Sequence, residues 1–282
     1  MKSTWLSLIK ISRPRFWLYL AGPFLIGWVV AAQNIQDFNN IWFIMLLIYF
    51  LWPANFYLYG LNDLFDLDTD IFNDKKDKQE IRLDNQSVQQ IAKRLIIFCF
   101  FLAMPLVLLV PNEAAAWLLI IFLSLGAFYS VPPLRLKTKP IIDSIANILY
   151  ALPGLIAYIF ITNSWPNWPT WLALFSWTTA MHLFSAIYDI EADKRAGLKT
   201  GAVFFGAKKA LWLCFGLWLL FAAITFIYKF AWPLNILFFI YPLIPINLLI
   251  KNESIKKSYW HFPVITGILG LITFWFFFIK LL

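Results

Sequence analysis

The sequence predicts an all-α integral membrane protein with nine transmembrane helices and a cytoplasmic N-terminus, and three observations lead there. Of 282 residues, 61% are hydrophobic and only 13% charged, against about 45–50% apolar and about 25% charged in soluble domains. Apolar segments long enough to cross a bilayer recur at about 16–33, 41–61, 93–110, 115–131, 141–161, 170–188, 209–228, 233–250 and 261–280. On that count, 21 of the 23 Lys and Arg share the side of the N-terminus, leaving only Lys229 and Lys280 opposite. The positive-inside rule makes the basic side cytoplasmic, and the expected location is the cell membrane. The net charge of +8 therefore reflects topology, and no nucleic-acid partner is expected.

Residues 3–12 mix apolar and basic positions and are expected to form a short interfacial helix that Arg13-Pro14 ends. The first apolar run follows Lys10, Arg13 and Arg15 and is expected to be a retained helix rather than a cleaved signal. Pro111-Asn112-Glu113 splits the third and fourth spans with a tight turn. Pro53, Pro105, Pro153-Gly154, Pro242 and Pro245 lie within spans, where neighbouring helices satisfy the backbone groups that proline frees. Trp165, Trp168 and Trp171 mark the outer interface. Cys99 and Cys214 both fall in apolar runs and read as buried small residues, not as a disulfide or metal pair.

Acidic residues do not set orientation, yet 13 of the 15 also lie on the basic side, all but Asp37 and Glu113. A functional site on the cytoplasmic face explains that. The second span runs into Asn62-Asp63-Leu64-Phe65-Asp66-Leu67-Asp68-Thr69-Asp70. Continued as a helix, this stretch puts Asp63, Asp66 and Asp70 on one face with Asn62 beside them, and Asp68 roughly opposite. So many like charges call for a cation, and Mg²⁺ prefers carboxylates, waters and phosphate oxygens. A solvated acidic loop is the plain alternative. It loses ground because the sixth span ends in a second cluster, in which Asp189 and Asp193 are i, i+4 partners and Glu191 points away. Two such clusters facing each other suit Mg²⁺ ions bridging one diphosphate.

A diphosphate also needs cations. Arg13, Arg135, Lys137, Lys194 and Arg195 lie at the same edge, with Arg135 and Lys137 in a loop stiffened by Pro132-Pro133 and Pro140. Polar residues within spans are few. Asn55 and Tyr59 precede Asp63 on its face, Asp143, Asn147 and Tyr150 form a stripe on the fifth span, and His182 lies two turns before Asp189. These faces are expected to turn inward toward substrate. His182 reads equally as a late proton acceptor and as a hydrogen-bonded packing residue.

Asn62-Asp63-x-x-Asp66-x-x-x-Asp70 and Asp189-x-x-x-Asp193, on the second and sixth of nine helices, resemble the two signatures of UbiA-type intramembrane prenyltransferases. Residues 129–137 resemble that family's loop after the fourth helix, and Arg13-Pro14 its entry to the first. The resemblance implies one transmembrane prenyltransferase domain over residues 1–282, a UbiA-like helical bundle with a central cavity. It implies Mg²⁺ and an allylic prenyl diphosphate held between the motifs by Asp63, Asp66, Asp70, Asp189 and Asp193, with Asn62 assisting. Residues 140–147 and 181–193 look most like the lycopene elongases of C50 carotenoid synthesis, which implies dimethylallyl diphosphate as donor and lycopene as acceptor. The alternatives are an aromatic or glycerol-phosphate acceptor, as in quinone, haem or lipid synthesis, and, outside enzymes, a transporter. A transporter is expected to place its ligands near the bilayer midplane, whereas nearly every charge here sits at one edge.

Overall fold

The computed structural model describes residues 2–73, 82–83 and 85–282. Helices make up most of this chain, and no strand occurs among the described residues. Six of the helical stretches are long and apolar enough to cross a membrane: Ile41–Phe65, Gln86–Leu109, Glu113–Ser130, Gly201–Ile227, Leu234–Lys251 and Ile255–Leu281. Up to eight spans result if each of two bent pairs is one span, residues 6–31 and 142–162. The remaining expected span is the 20-residue helix Trp168–Ile187, which is absent from both groups. Ser176, Thr178, Thr179, His182 and Ser185 dilute the apolar character of this helix along its length. The protein is a multi-pass membrane protein. Lys75, Lys76 and Lys78, which enter the orientation argument, lie outside the described residues.

The chain divides into two compact units. The first, Met1–Arg135 with Leu152–Ser164, holds α1 (Lys2–Ile11), α2 (Leu18–Ala31), α3 (Ile41–Leu51), α4 (Pro53–Phe65), α5 (Gln86–Leu109) and α6 (Glu113–Ser130). A further helix, Leu152–Thr162, lies along α2. Glycines let these two backbones meet. A Cβ on Gly27 would collide with the Gly154 carbonyl oxygen, and one on Gly154 would stand 2.8 Å from that of Pro23. Close approach over small residues is how helices associate in lipid, where hydrophobic burial between helices drives nothing. Trp28, Phe24, Phe43 and Phe160 stack around this seam at centroid distances of 5.0 to 5.9 Å.

Pro53 interrupts the second span. Trp52 leaves helical geometry (φ −129°, ψ −57°), because the ring of Pro53 clashes with the backbone of the residue before it and disfavours the helical region there. The Asn55 amide repairs the break by donating to the carbonyls of Phe50 (2.8 Å) and Leu51 (3.1 Å). On α6, Asn112 caps Ala115 N–H while its amide donates to Asn163 and Ile159, which ties the turn between the third and fourth spans.

The second unit, Leu136–Ala151 with Trp165–Leu282, starts with a 3-10 turn, Leu136–Thr138, then α7 (Ile142–Ile145) and a second 3-10 turn, Ala146–Tyr150. Numbering Leu152–Thr162 as α8, it continues with α9 (Trp168–Ile187), α10 (Ile190–Arg195), α11 (Gly201–Ile227), α12 (Ile240–Lys251) and α13 (Ile255–Phe278). Phe184, Trp218, Tyr241 and Phe262 form its aromatic centre, with neighbouring rings 5.2 to 6.1 Å apart. Gly206 (φ 72°, ψ 158°) breaks α11 after its first turns. That backbone geometry suits glycine alone.

Candidate functional site

Asp63 sits in the last turn of α4, but the helix does not run on through Asp70 as the spacing predicts. It stops at Phe65, with Asp66 as C-cap (φ −115°, ψ 10°). The chain then turns so that the amides of Thr69 and Asp70 both reach the Asp66 carbonyl, at 2.9 and 2.7 Å, and Asp70 heads a 3-10 turn. The reason is local. Asp and Thr side chains compete for backbone hydrogen bonds and favour turns over helix interiors. The grouping the helical wheel proposes is nonetheless reached by another route. Asp63, Asp66 and Asp70 are buried, while the Asp68 side chain is 74% exposed.

Two arginines from distant parts of the sequence grip this motif. Arg13 Nη2 donates to Asp63 Oδ1 at 2.9 Å, and its guanidinium lies 4.7 Å over the Tyr59 ring. Arg135 Nη2 donates to Asp66 Oδ1 at 3.0 Å and to the Phe65 carbonyl at 2.9 Å, so it caps the end of α4 as it binds the carboxylate. A third, Arg82, donates to the Asp70 carbonyl at 3.3 Å. Arg13 and Arg135 both have positive φ, 50° and 37°, a region that costs an L-residue about 1–2 kcal/mol. Arg13 is held there by its neighbours. The Trp17 indole donates to Ser12 O and Ser12 Oγ, each at 3.1 Å, and Phe16 N–H reaches the Arg13 carbonyl at 2.8 Å. Neither Trp17 nor Ser12 is evident in the sequence as a site residue.

In the second motif the helix also breaks where the sequence suggests continuity. α9 ends at Ile187, and Asp189 (φ −94°, ψ 0°) precedes α10. The i, i+4 relation survives, since Asp193 N–H reaches the Asp189 carbonyl at 2.8 Å. Asp193 Oδ2 accepts the Thr200 hydroxyl at 3.0 Å. Glu191 points into solvent and meets Lys194 at 3.6 Å on an exposed surface, the kind of pair worth little.

The polar residues on the fifth and sixth spans serve the start of α11. Asp143 is 0% exposed. Its Oδ2 accepts the Gly201 N–H at 2.7 Å and its Oδ1 the Ser144 N–H at 2.8 Å. Asn147 donates to the Asp143 carbonyl, and His182 Nε2 lies 3.8 Å from Asp143 Oδ2. The expected i, i+4, i+7 stripe with Tyr150 is not one α-helix, because the chain changes to 3-10 geometry at Ala146. Lys137 is buried and Asn62 half-buried.

Among the described residues, no group of three or more His, Cys, Asp and Glu is placed to hold a metal ion by itself. The donor chemistry of the two motifs nevertheless fits Mg²⁺, a hard cation that takes only one or two carboxylates and fills its octahedron with water and phosphate oxygens.

The chain is similar to known proteins. The model of the UbiA prenyltransferase family matches residues 20–261. A lycopene elongase/hydratase of Halobacterium salinarum is 40% identical, covering 94% of each chain. One from Haloferax volcanii is 38% identical over 94% of this chain and 86% of its own. Among solved structures, a UbiA homolog from Archaeoglobus fulgidus bound to DMAPP and Mg²⁺ superposes with a TM-score of 0.75, at 22% identity, over 98% of this chain and 99% of that one.

Proposed function

The chain belongs to the UbiA prenyltransferase family and is an intramembrane prenyltransferase, and on that premise we propose that it moves the prenyl group of dimethylallyl diphosphate onto lycopene, lengthening the carotenoid. One observation carries the acceptor: 38–40% identity to two lycopene elongase/hydratases along 94% of the chain. The ligands of the Archaeoglobus fulgidus homolog support the donor and the metal. Aromatic and glycerol-phosphate acceptors have weaker support, since a 4-hydroxybenzoate octaprenyltransferase is only 24% identical over 71% of the chain.

In this reading Asp63, Asp66, Asp70, Asp189 and Asp193, with Asn62, take the Mg²⁺–diphosphate end of the donor. Bound Mg²⁺ supplies charge neutralisation for the departing diphosphate. Arg13 and Arg135 offer forked donors to phosphate oxygens, and Lys137 and Lys194 add point charges. Tyr59, already under a guanidinium, and His182 are assigned to the substrate as well. Aromatic side chains exclude water from the allylic cation and attract it, each face worth about 0.5–2 kcal/mol. The family match runs across both compact units, which supports one functional domain over residues 1–282. The charge asymmetry supports nine spans, with the N-terminus and both motifs on the cytoplasmic side of the cell membrane.

The test is product analysis with detergent-solubilised protein, Mg²⁺ and labelled dimethylallyl diphosphate, offering lycopene and an aromatic acid separately. We expect label in a longer carotenoid, and none when Asp63→Ala or Asp189→Ala replaces the wild type at equal expression. Label on the aromatic acid alone would discard the carotenoid acceptor.

A further inference from the structure

Asp143 and Asp193 are joined by a short run of hydrogen bonds that no part of the prenyl-transfer reading uses. The Asp143 carboxylate, 0% exposed, accepts the first amide of α11, Gly201 N–H, at 2.7 Å. Helix starts leave such amides without intrahelical partners and favour a negative charge beside them. That explains how a carboxylate is tolerated at full burial. The approach requires glycine, because a Cβ on Gly201 would lie 2.8 Å from Asp143 Oδ1. The residue before it, Thr200, is the N-cap of α11 and accepts Val203 N–H on its hydroxyl oxygen. A hydroxyl carries a single proton. With the backbone donating to the oxygen, that proton is directed outward, and it lands on Asp193 Oδ2 at 3.0 Å. Gly197 (φ 71°) reverses the chain between α10 and Thr200, and Leu198 N–H closes the loop on the Asp193 carbonyl at 2.8 Å.

We infer that Asp143 and Thr200 are positioning residues: Asp143 anchors the start of α11 through Gly201 N–H, and Thr200 thereby holds the Asp193 carboxylate in a fixed orientation toward its cation. This rests on the preceding assignment of Asp193 to the Mg²⁺–diphosphate end. It gives Asp143 a role at the second motif in place of direct contact with substrate.

The experiment compares Thr200→Val, Thr200→Ser and Asp143→Asn in detergent by two readouts. One is the Mg²⁺ concentration for half-maximal prenyl transfer. The other is the rise in melting temperature on adding Mg²⁺ with inorganic pyrophosphate. Outer partners of metal-binding side chains change affinity by about 10–100-fold. Thr200→Val is expected to raise half-saturating Mg²⁺ by that factor and shrink the thermal response. Thr200→Ser, which keeps the hydroxyl, restores both, and Asp143→Asn moves both in the same direction by less. A wild-type Mg²⁺ response in Thr200→Val overturns the inference. So does a lowered melting temperature shared by the valine and serine variants with unchanged half-saturation, the pattern of a helix cap alone. Should Thr200→Val fail to fold, the same readouts on Asp143→Asn decide. Asp193→Ala separates the two levels: full activity there removes Asp193 from the site and the inference with it, whereas an inactive Asp193→Ala beside a normal Thr200→Val overturns the inference alone.

Discussion

At the scale of single residues, the first motif is governed by arginine as much as by aspartate. Arg13 and Arg135 reach Asp63 and Asp66 from 50 and 69 positions away, and both do so from positive φ. Both pairs are part-buried, so taking away one partner leaves a charge only partly compensated by solvent. The same Arg135 Nη2 also donates to the Phe65 carbonyl, and a lysine would replace the rigid planar guanidinium that places it there with an ammonium on a flexible stem. Arg135→Ala is therefore expected to lower turnover by about 10–100-fold, with Arg135→Lys recovering only part of it, as steady-state kinetics with dimethylallyl diphosphate and lycopene would show. Equal rates in wild type and Arg135→Ala would reject the role. The candidate arginines were visible in the sequence because Arg13-Pro14 and the Pro132-Pro133 loop flag them. Trp17, Ser12 and Thr200 were not, since their partners become neighbours only once the chain is folded.

At the scale of elements, glycine decides which helices touch. The Gly27 approach to Gly154 leaves no room for a methyl group, so Gly27→Ala must push α2 and α8 apart. Overpacking of this kind costs about 1–3 kcal/mol, to be read as a lowered melting temperature in detergent. Gly22→Ala on the same helix is the control, because a Cβ there meets nothing within 4 Å and alanine is favoured over glycine in a helix by about 0.5–1 kcal/mol. A matching loss in both variants would place the effect in α2 itself rather than in the seam. The two acidic motifs carry the lesson about legibility. Their spacing singled out Asp63, Asp66 and Asp70, all of them buried, yet it misjudged the backbone, which leaves the helix at Asp66 and again at Tyr188. Side-chain competition for backbone amides is short-ranged and outweighs the periodicity of the apolar run behind it.

For the whole molecule, the distribution of charge makes the topology testable. Cys99 and Cys214 are both buried, so replacing them by alanine provides a background for single reporters. Glu191→Cys is expected to react with a membrane-impermeant thiol reagent only from the cytoplasmic face, and Trp165→Cys only from the outer face. Labelling of both from the same face would contradict an even number of crossings between the second motif and the N-terminus together with an odd one before Trp165.

What the sequence by itself determined was the membrane class, the helical character and the family, all of which depend on composition and on residues close together in the chain. Burial of Asp63, Asp66 and Asp70 around a turn, the capture of two of them by arginines, and the use of Asp143 on the first amide of α11 were decided only by the tertiary structure. Each depends on which backbone groups a helix end leaves unsatisfied and on what the fold brings near enough to satisfy them.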